Sequence, residues 1–283
     1  MMQKFIIPAS DLAACIGRNK YKSRDDMILK YLRLYAPDSY ALLKEITGQE
    51  TQIEIASEVS KKLHKVDYSI DASIKTDIYN MVKLAVSSSN YKDKVCQTLS
   101  TIETKLAQTC LTSEEKEIAQ QELQKQLYTQ IGTHKEAGVV SQLQNTQRIH
   151  GYFSRYVSDG YTPDGFAIPI YIGGKIDAIQ TSDSGDKMII EVKNRMNHLF
   201  NKVVEYERVQ VYAYMFIHDI KSAKIVEKFH DTIVEHVVQF DNEYWVDIIK
   251  SMKVFVQEVY EIAHKYSNIS TSDSETDDES ENL

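Results

Sequence analysis

An apolar run that ends in Glu-Val-Lys is the feature that most constrains how this chain can fold. The run 188–190, Met-Ile-Ile, leads directly into Glu191, Val192 and Lys193. Because side chains alternate across a strand, Glu191 and Lys193 would point to one face and Val192 into the core. We therefore predict a strand over 188–193 that presents a carboxylate and an amine together, at the exposed edge of a small sheet.

A second acidic residue precedes this strand by one hairpin. Asp177 lies fourteen residues before Glu191, in another β-like run. The stretch 181–186 between the two runs, Thr-Ser-Asp-Ser-Gly-Asp, has the composition of a turn. Folding the hairpin would bring Asp177 beside Glu191. Paired carboxylate oxygens suit Mg²⁺ or Mn²⁺, and a nearby ammonium group can orient water or neutralise phosphate charge, so the pattern predicts metal-dependent phosphodiester hydrolysis.

Two flanking segments add polar groups to this pattern. Gly132-Thr133 is typical of a helix start with Thr133 as N-cap, which would place Glu136 in the first turn, where the helix dipole favours a carboxylate. Downstream, Gln210 and Tyr214 are four residues apart and would share one helical face. Each also has an ordinary structural interpretation, Glu136 as a capping charge and Tyr214 as part of an amphipathic core.

Taken in chain order, the pattern is Gly-x-x-x-Glu, Asp, Glu-x-Lys and Gln-x-x-x-Tyr. This order resembles the PD-(D/E)XK nuclease superfamily, and within it the RecB-like and lambda-exonuclease-like (YqaJ) branch, over residues 128–240. The segment 7–23, with Ala-Ser-Asp, a central glycine and Tyr-Lys-Ser, is similar to the opening segment of YqaJ-type exonucleases. The resemblance implies an α/β fold in which helices flank a central mixed β-sheet, as in restriction endonucleases.

The resemblance also implies a role for each matching position. Asp177 and Glu191 would be metal ligands, with the backbone carbonyl of Val192 completing the set. Glu136 would reach one or two Mg²⁺ or Mn²⁺ ions directly or through water, and Lys193 would position or activate the attacking water. The remaining implied residues are Gln210 and Tyr214, which would support the site or contact the nucleic acid, and Ser10, Arg18 and Lys20, near the terminal phosphate of the substrate.

A second aspartate competes for the metal-ligand role. Pro163-Asp164-Gly165 spells the family's Pro-Asp pair more literally than the residues before Asp177 do. Asp164 precedes Glu191 by twenty-seven residues, too far for a simple two-strand hairpin, and Pro-Asp-Gly is ordinary turn chemistry. We therefore choose Asp177 and keep Asp164 as the alternative.

Composition excludes several other classes of protein. The three cysteines are scattered, without a Cys-x-x-Cys pair, which argues against a zinc finger, an iron–sulfur cluster or a disulfide framework and favours a reducing compartment. Hydrophobic residues make up 42% of the chain, enough for a sizeable core. No apolar stretch approaches the about 20 residues of a membrane span, and no signal-peptide pattern opens the chain. We expect an intracellular, soluble protein of cytoplasm or nucleus, without membrane contact.

The net charge of −8 is unusual for a protein that binds nucleic acid, and the last segment accounts for most of it. Residues 267–283 are rich in Ser, Thr, Asp and Glu and nearly devoid of apolar side chains, so we predict a disordered tail. Such a tail could be a phosphorylation target, a partner-binding segment, a polyanion mimic or simply a solubilising extension. Its acidic residues are Asp273, Glu275, Asp277, Asp278, Glu279 and Glu281.

The chain divides into three predicted parts: a largely helical region over 1–130, a nuclease core over 131–266 and the tail over 267–283. Thr112-Ser113-Glu114-Glu115 has the form of a capping box that opens a helix to about Tyr128. The other predicted helices are 25–35, 49–63, 72–86, 199–218 and 242–265, and the predicted strands are 149–157, 166–178, 188–193, 223–229 and 232–240.

The carboxylates and lysine predict a metal-dependent phosphodiesterase, and the family resemblance implies a Mg²⁺-dependent deoxyribonuclease, a lambda-type exonuclease acting at DNA ends in recombination, repair or replication. Two alternatives remain: an RNA-cleaving nuclease of the same fold, and an inactive protein that binds nucleic acid or has a structural role. By family analogy the protein could be a homo-oligomer. The helical region and the acidic tail are candidate surfaces for a protein partner.

Overall fold

The structure is a computed structural model that describes residues 4–88 and 91–272. Within these residues, eight strands and nine helices follow one another along the chain. Their order is β1 (Phe5–Pro8), α1 (Ala9–Cys15), α2 (Arg24–Tyr35), α3 (Pro37–Thr47), α4 (Gln52–Val66), α5 (Tyr68–Ser87), α6 (Lys92–Ala107), α7 (Ser113–Val140), β2 (Thr146–Arg148), β3 (Phe153–Tyr161), β4 (Ala167–Gly174), β5 (Ala178–Thr181), β6 (Lys187–Asn194), α8 (Glu205–His218), β7 (Ser222–Phe229), β8 (Thr232–Gln239) and α9 (Asn242–Ser272).

The strands form two mixed sheets flanked by helices. One has the order β1-β4-β3, in which β1 runs parallel to β4 and β3 antiparallel to it. The other has the order β2-β5-β6-β7-β8, in which only β6 and β7 are parallel. The predicted α/β class with a mixed sheet and flanking helices is confirmed. The strand predicted over 166–178 is interrupted, because at residues 175–177 the chain passes from the first sheet to the second.

The hairpin of β5 and β6 forms as the sequence indicated. Ala178 pairs with Ile190 and Thr181 with Lys187, and the turn between them is closed by the Gly185 backbone at a φ of 88°. The prediction of an exposed sheet edge is wrong, however. β6 is the middle strand of five, and Glu191 on it is only 4% exposed.

Residues 5–35 contribute to the main core. β1 reaches that core by parallel pairing with β4, and its Phe5 ring stacks at 4.3 Å on the ring of Tyr35 in α2. Apolar residues of α1 and α2 then pack against β4, α8 and α9, because these elements all present buried stripes to one another. The largest fully buried members of this core include Phe5, Ile7, Leu12, Tyr31, Tyr212 and Phe255.

A second core holds the helices α4, α5, α6 and the first part of α7. Ile74 and Ile78, one turn apart on α5, are both buried there, as are Leu127 and Ile131 on α7. The i, i+4 spacing of these residues gives each helix one apolar face, and the faces meet. Met196, which follows β6, packs against the same cluster and so connects it to the second sheet.

Helix α7 is longer than predicted, and it corrects one expectation about Glu136. The Thr112 capping box is present, with Thr112 N–H donating to Glu115 at 2.8 Å. The helix then continues for 28 residues to Val140, across the predicted boundary at 130/131. Gly132 and Thr133 are therefore interior residues and not a helix start. Burial of the neighbouring apolar residues outweighs the cost of about 1 kcal/mol that a helical glycine carries.

Glu136 consequently lies in the last part of α7, not in its first turn. A carboxylate there gains nothing from the helix dipole, which is negative at that end.

Helix α9 also corrects a boundary. It extends to Ser272, six residues into the segment that was predicted as a tail. The six acidic residues of the predicted tail lie outside the described residues. Among the described helices, we find none whose length and apolar character would let it cross a bilayer.

Candidate active site

Asp177 is placed by the bend between the two sheets. It immediately precedes β5, and its Oδ2 accepts a hydrogen bond of 2.7 Å from the backbone N–H of Val192 on β6. This bond continues the β5–β6 contact one step beyond the last paired residues, Ala178 and Ile190. The side chain is thereby held beside the strand that carries Glu191.

Glu191 and Lys193 share one face of β6, as the alternation of a strand requires. Lys193 Nζ donates to Glu191 Oε1 at 2.7 Å and to Gln210 Oε1 at 3.1 Å. Gln210 in turn donates through Nε2 to Tyr214 Oη at 2.9 Å. The pair that was predicted to share a face of α8 thus fixes the position of the Lys193 ammonium group.

One oxygen of Glu191 has no partner among the described residues. Glu191 Oε2 is buried and receives no hydrogen bond, although Oε1 is bound by Lys193. Leaving a buried carboxylate oxygen without a donor is costly. An unsatisfied acceptor in this position fits a cation that binds there.

Two glycines before the bend allow tyrosine rings to approach the site. A Cβ at Gly174 would lie 2.6 Å from Cε1 of Tyr214 and 3.2 Å from Cβ of Ala9. A Cβ at Gly173 would lie 2.2 Å from Oη of Tyr152. Because these contacts leave no room for a side chain, the Gly-Gly pair lets Tyr214 pack against the end of β4.

The three carboxyl groups repel one another. Burial, and after it the charge of Asp177, raises the pKa of Glu136 to about 7. Burial likewise raises the pKa of Glu191 to about 7, against the opposing effect of Lys193. Burial raises the pKa of Asp177 as well, although the bond from Val192 N–H opposes it. Acids gathered in this way favour a bound proton or a bound cation.

Lys193 keeps its charge in this environment. Burial lowers its pKa, but the negative charges of Glu191 and Glu207 outweigh that effect, and the net shift is upward. Lys193 is therefore an ammonium ion at neutral pH. It can donate hydrogen bonds to water or phosphate oxygen, and it cannot serve as a base in this form.

The donor set suits a hard divalent cation that is also bound by water or substrate. No three His, Cys, Asp or Glu side chains in the described part of the chain form a closed metal cage. Mg²⁺ rarely uses such cages, since one or two carboxylates with substrate phosphate and water usually suffice. Asp177 and Glu191 can supply these carboxylates. The N–H and C=O of a strand residue point to the same side, so the carbonyl of Val192 is directed toward Asp177, to which its N–H is bonded.

The residues predicted to meet the terminal phosphate have other contacts. Arg18 forms ion pairs with Glu205, at 3.4 Å, and with Asp247. Lys20 is exposed and lies 4.8 Å from the centre of the Tyr21 ring. Ser10 is exposed in α1, next to Ala9, whose Cβ contacts the Gly174 region. The structure thus brings the start of α1 close to the site but uses the Arg18 guanidinium within the protein.

Asp164 is remote from the carboxyl groups of the site. It lies in the turn between β3 and β4, where Gly165 has a φ of 82°, and it pairs with His264 of α9 at 3.6 Å. Asp177 follows the opposite end of β4. The strand has eight residues, about 25 Å at the usual rise, and its length separates the two aspartates.

A buried arginine network supports the site and was not predicted. Arg195 lies two residues after Lys193 and binds Glu207 of α8 through two bonds of 2.7 and 2.9 Å. Its Nε also donates to Glu227 of β7 at 2.6 Å, and Glu227 accepts the backbone N–H of Asn201 at 3.0 Å. This fork-shaped contact fixes the loop between β6 and α8. The sequence did carry a signal for it: Arg195 follows Lys193 by two residues, so it continues the alternation that Glu191 and Lys193 begin.

Two further basic residues near the acids were also missed. These are Arg148, at the end of β2, and Lys175, in the bend. The positive charge of each opposes the rise in the pKa of Asp177 and of Glu136. Their influence shows that positive charge surrounds the carboxyl groups. No spacing argument connects Arg148 to the hairpin, because the pairing of β2 with β5 is set by the fold.

Comparisons with known proteins give only distant similarities. No protein-family model matches the chain, and no curated protein matches its sequence. Among solved structures it is similar to an alkaline exonuclease, LHK-Exo, from Laribacter hongkongensis, with 14% identity, coverage of 61% of this chain and 92% of that one, and a TM-score of 0.32. The same exonuclease in complex with dAMP gives 14% identity, coverage of 61% and 91%, and a TM-score of 0.33.

A phage-related exonuclease from Haemophilus somnus is similar over 95% of this chain and 97% of its own, with 13% identity and a TM-score of 0.35. The identities and TM-scores are low, and the geometry of the site therefore carries the functional conclusion.

Proposed function

We propose that this protein is a nuclease that hydrolyses DNA phosphodiester bonds with the help of Mg²⁺ or Mn²⁺. The observation that carries the proposal is the meeting of three mutually repelling carboxyl groups with the ammonium group of Lys193 at the junction of the two sheets. We further propose a lambda-type exonuclease that acts at DNA ends, in recombination, repair or replication, because the order of these residues resembles that branch of nucleases.

Each side chain has a task that its contacts support. Asp177, Glu191 through Oε2, and the Val192 carbonyl would hold the ion, with Glu136 reaching it directly or through water. The ion would supply Lewis-acid activation of the phosphate and of the attacking water. Lys193, held by Gln210, would orient the water and neutralise charge that develops on the phosphate.

The test is cleavage of labelled nucleic acid by the full-length protein with Mg²⁺ or with EDTA. Linear duplex, circular duplex, single-stranded DNA and RNA are compared. We expect Mg²⁺-dependent loss of linear DNA and little cleavage of circles. Asp177→Asn and Glu191→Gln should lower the rate by about 10²-fold or more, since each removes a charge that the transition state needs.

Asp164→Asn is the matched control, because it removes an aspartate charge at the far end of β4. It should cut at the wild-type rate, and every variant should melt as a folded protein. Wild-type activity in Asp177→Asn together with its loss in Asp164→Asn would refute the assignment. Cleavage of RNA and not of DNA would establish the alternative substrate, and no cleavage of either would leave a binding protein.

A further inference from the structure

A cavity of about 420 Å³ lies against the last turns of α7, and none of the three candidate acids lines it. Its walls come from the end of α5, the last turns of α7 and the turn between β7 and β8. Several of its polar groups can donate hydrogen bonds or carry positive charge, and one is acidic. The polar lining residues include Ser88, His134, Lys135, Lys228, His230 and Asp231.

The two lysines of this cavity lack an anionic partner. Lys135 and Lys228 are both half-buried, and neither forms an ion pair with any described residue. Lys135 instead lies over the ring of Tyr91, 3.5 Å from its centre.

Three other half-buried lysines each have a carboxylate partner. Lys30 binds Asp11, Lys105 binds Asp77 and Lys224 binds Glu235. Bringing two ammonium groups together without such a partner costs free energy that an external anion would recover. The imidazole and hydroxyl groups of the same wall can donate hydrogen bonds to that anion.

Two elements connect the cavity to the candidate acids. On α7, Lys135 directly precedes Glu136. In the second sheet, Lys228 is in register with Asn194, which directly follows Lys193. Neighbouring strands are about 5 Å apart, so β7, which carries Lys228, runs directly beside β6, which carries Glu191 and Lys193. Asn194 Nδ2 also donates to the Gly132 carbonyl at 3.0 Å, and this hydrogen bond connects α7 to the end of β6.

We propose that this cavity binds a backbone phosphate of the nucleic-acid substrate at some distance from the bond that is cleaved. The proposal rests on the proposed nuclease function. A nucleic-acid strand carries one phosphate for every 3.4 Å or so along the helix axis, so a strand held at the acids presents further phosphates within reach of the cavity. The paired lysines would hold one of them, and Lys228 and His230 would position the strand without taking part in the bond cleavage.

The test measures DNA binding in EDTA, where metal-dependent cleavage does not interfere. Full-length wild-type protein, Lys135→Gln, Lys228→Gln and the double variant are titrated against labelled duplex DNA at several KCl concentrations. Each single variant should bind more weakly at low salt. Each should also reduce the slope of log affinity against log salt by about 1, and the double variant by about 2.

Two control variants isolate the role of the charge in this place. Lys125→Gln removes an exposed lysine from the same helix, one that pairs with Glu122 at 3.1 Å, and it should leave affinity and slope unchanged. Lys228→Arg keeps the charge and should retain the wild-type slope. Thermal melting of each variant checks its fold, and the Lys→Gln variants should melt no lower than wild type because a repulsion has been removed.

Several results would overturn the proposal. Unchanged salt slopes in both Lys→Gln variants, or the same loss in Lys125→Gln, would exclude a phosphate contact in the cavity. A failure of the wild-type protein to bind DNA would also exclude such a contact. Competition by a deoxynucleoside monophosphate or inorganic phosphate as strong as that by DNA would make the cavity a site for free phosphate compounds. Equal competition by polyglutamate would assign it to an acidic protein segment.

The same experiment keeps this proposal separate from the nuclease function. If wild-type protein binds DNA with the expected slopes but never cuts it, the function has failed and the cavity assignment stands. If the protein cuts DNA but the slopes do not change, the function stands and the cavity assignment has failed.

Discussion

At the residue scale, the site is a balance of charges in a confined space. Glu136 and Glu191 have a raised pKa because burial and neighbouring acids disfavour ionisation, whereas Lys193 keeps its proton because those acids surround it. Ionised acids are thus unfavourable here without a cation, whereas the charged ammonium group is stabilised by the acids. Removing one charge at a time therefore gives distinct effects.

Lys193→Ala should separate catalysis from binding. The ammonium group donates to Glu191 and Gln210, and in the proposed function it would meet charge that develops only during cleavage. We expect kcat to fall by about 10²–10³-fold while DNA affinity in EDTA changes little. Lys187→Ala, an exposed lysine at the other end of β6, is the control and should keep full activity. Equal turnover in the two variants would make Lys193 an ordinary strand residue.

Glu136→Gln should make stability depend less on pH. The unfolded chain releases this proton near the ordinary value of 4.5, whereas the folded protein holds it to about pH 7. The carboxyl therefore destabilises the metal-free fold progressively as the pH rises from 4.5 to about 7. In EDTA, the variant should melt like wild type at pH 4.5 and above it at pH 8, by roughly 2–4 °C for each kcal/mol relieved.

Glu117→Gln, on an exposed part of the same helix, is the control for this measurement and should follow the wild-type curve. A Glu136→Gln melting temperature that tracks wild type at every pH would show that this carboxyl is not destabilised in the fold.

At the element scale, local contacts were predictable and distant ones were not. The hairpin of β5 and β6 and the shared face of Gln210 and Tyr214 followed from period and spacing. The parallel pairing of β1 with β4 joins residues more than 160 positions apart, and no periodicity encodes it. Gly132-Thr133 has the local composition of a helix start, but α7 runs through it because the helix buries apolar residues on both sides.

Gly174→Ala should disturb the contact between β4 and α8. The added Cβ would lie 2.6 Å from Tyr214, so the ring or the strand must move, at a cost of about 1–3 kcal/mol. Gly138→Ala, in α7 with nothing within 4 Å of the new Cβ, is the matched substitution. It should stabilise the protein by about 0.5–1 kcal/mol. Denaturant unfolding of both variants measures the difference, and a neutral Gly174→Ala would contradict the close packing.

At the scale of the whole molecule, the sequence predicted the class of fold and the meeting of Asp177, Glu191 and Lys193. It did not predict that two sheets meet at Asp177, or that β6 is central and Glu191 buried. Both follow from the strand order, which depends on β7 and β8 covering an edge that short motifs leave open. The Arg195 network and the separate helical core were missed for the same reason.

The acidic end of the chain should be dispensable for chemistry. Residues 273–283 carry the six acids and no Lys or Arg, so they should repel a polyanion more at low salt than at high salt. A protein that ends at Ser272 keeps the whole of α9, including the buried Tyr266. It should cut DNA at a similar rate and bind it equally or more tightly at low salt. A folded but inactive truncated protein would contradict this expectation.

One helix, α7, belongs to two cores. Leu127 and Ile131 are packed among the helices, Val139 and Val140 are packed against the second sheet, and Glu136 lies between the two pairs. The helical part is therefore not an independent module that could be deleted or exchanged without affecting the candidate site. Deleting the helical part would remove one of the two cores that hold the segment of α7 around Glu136 in place.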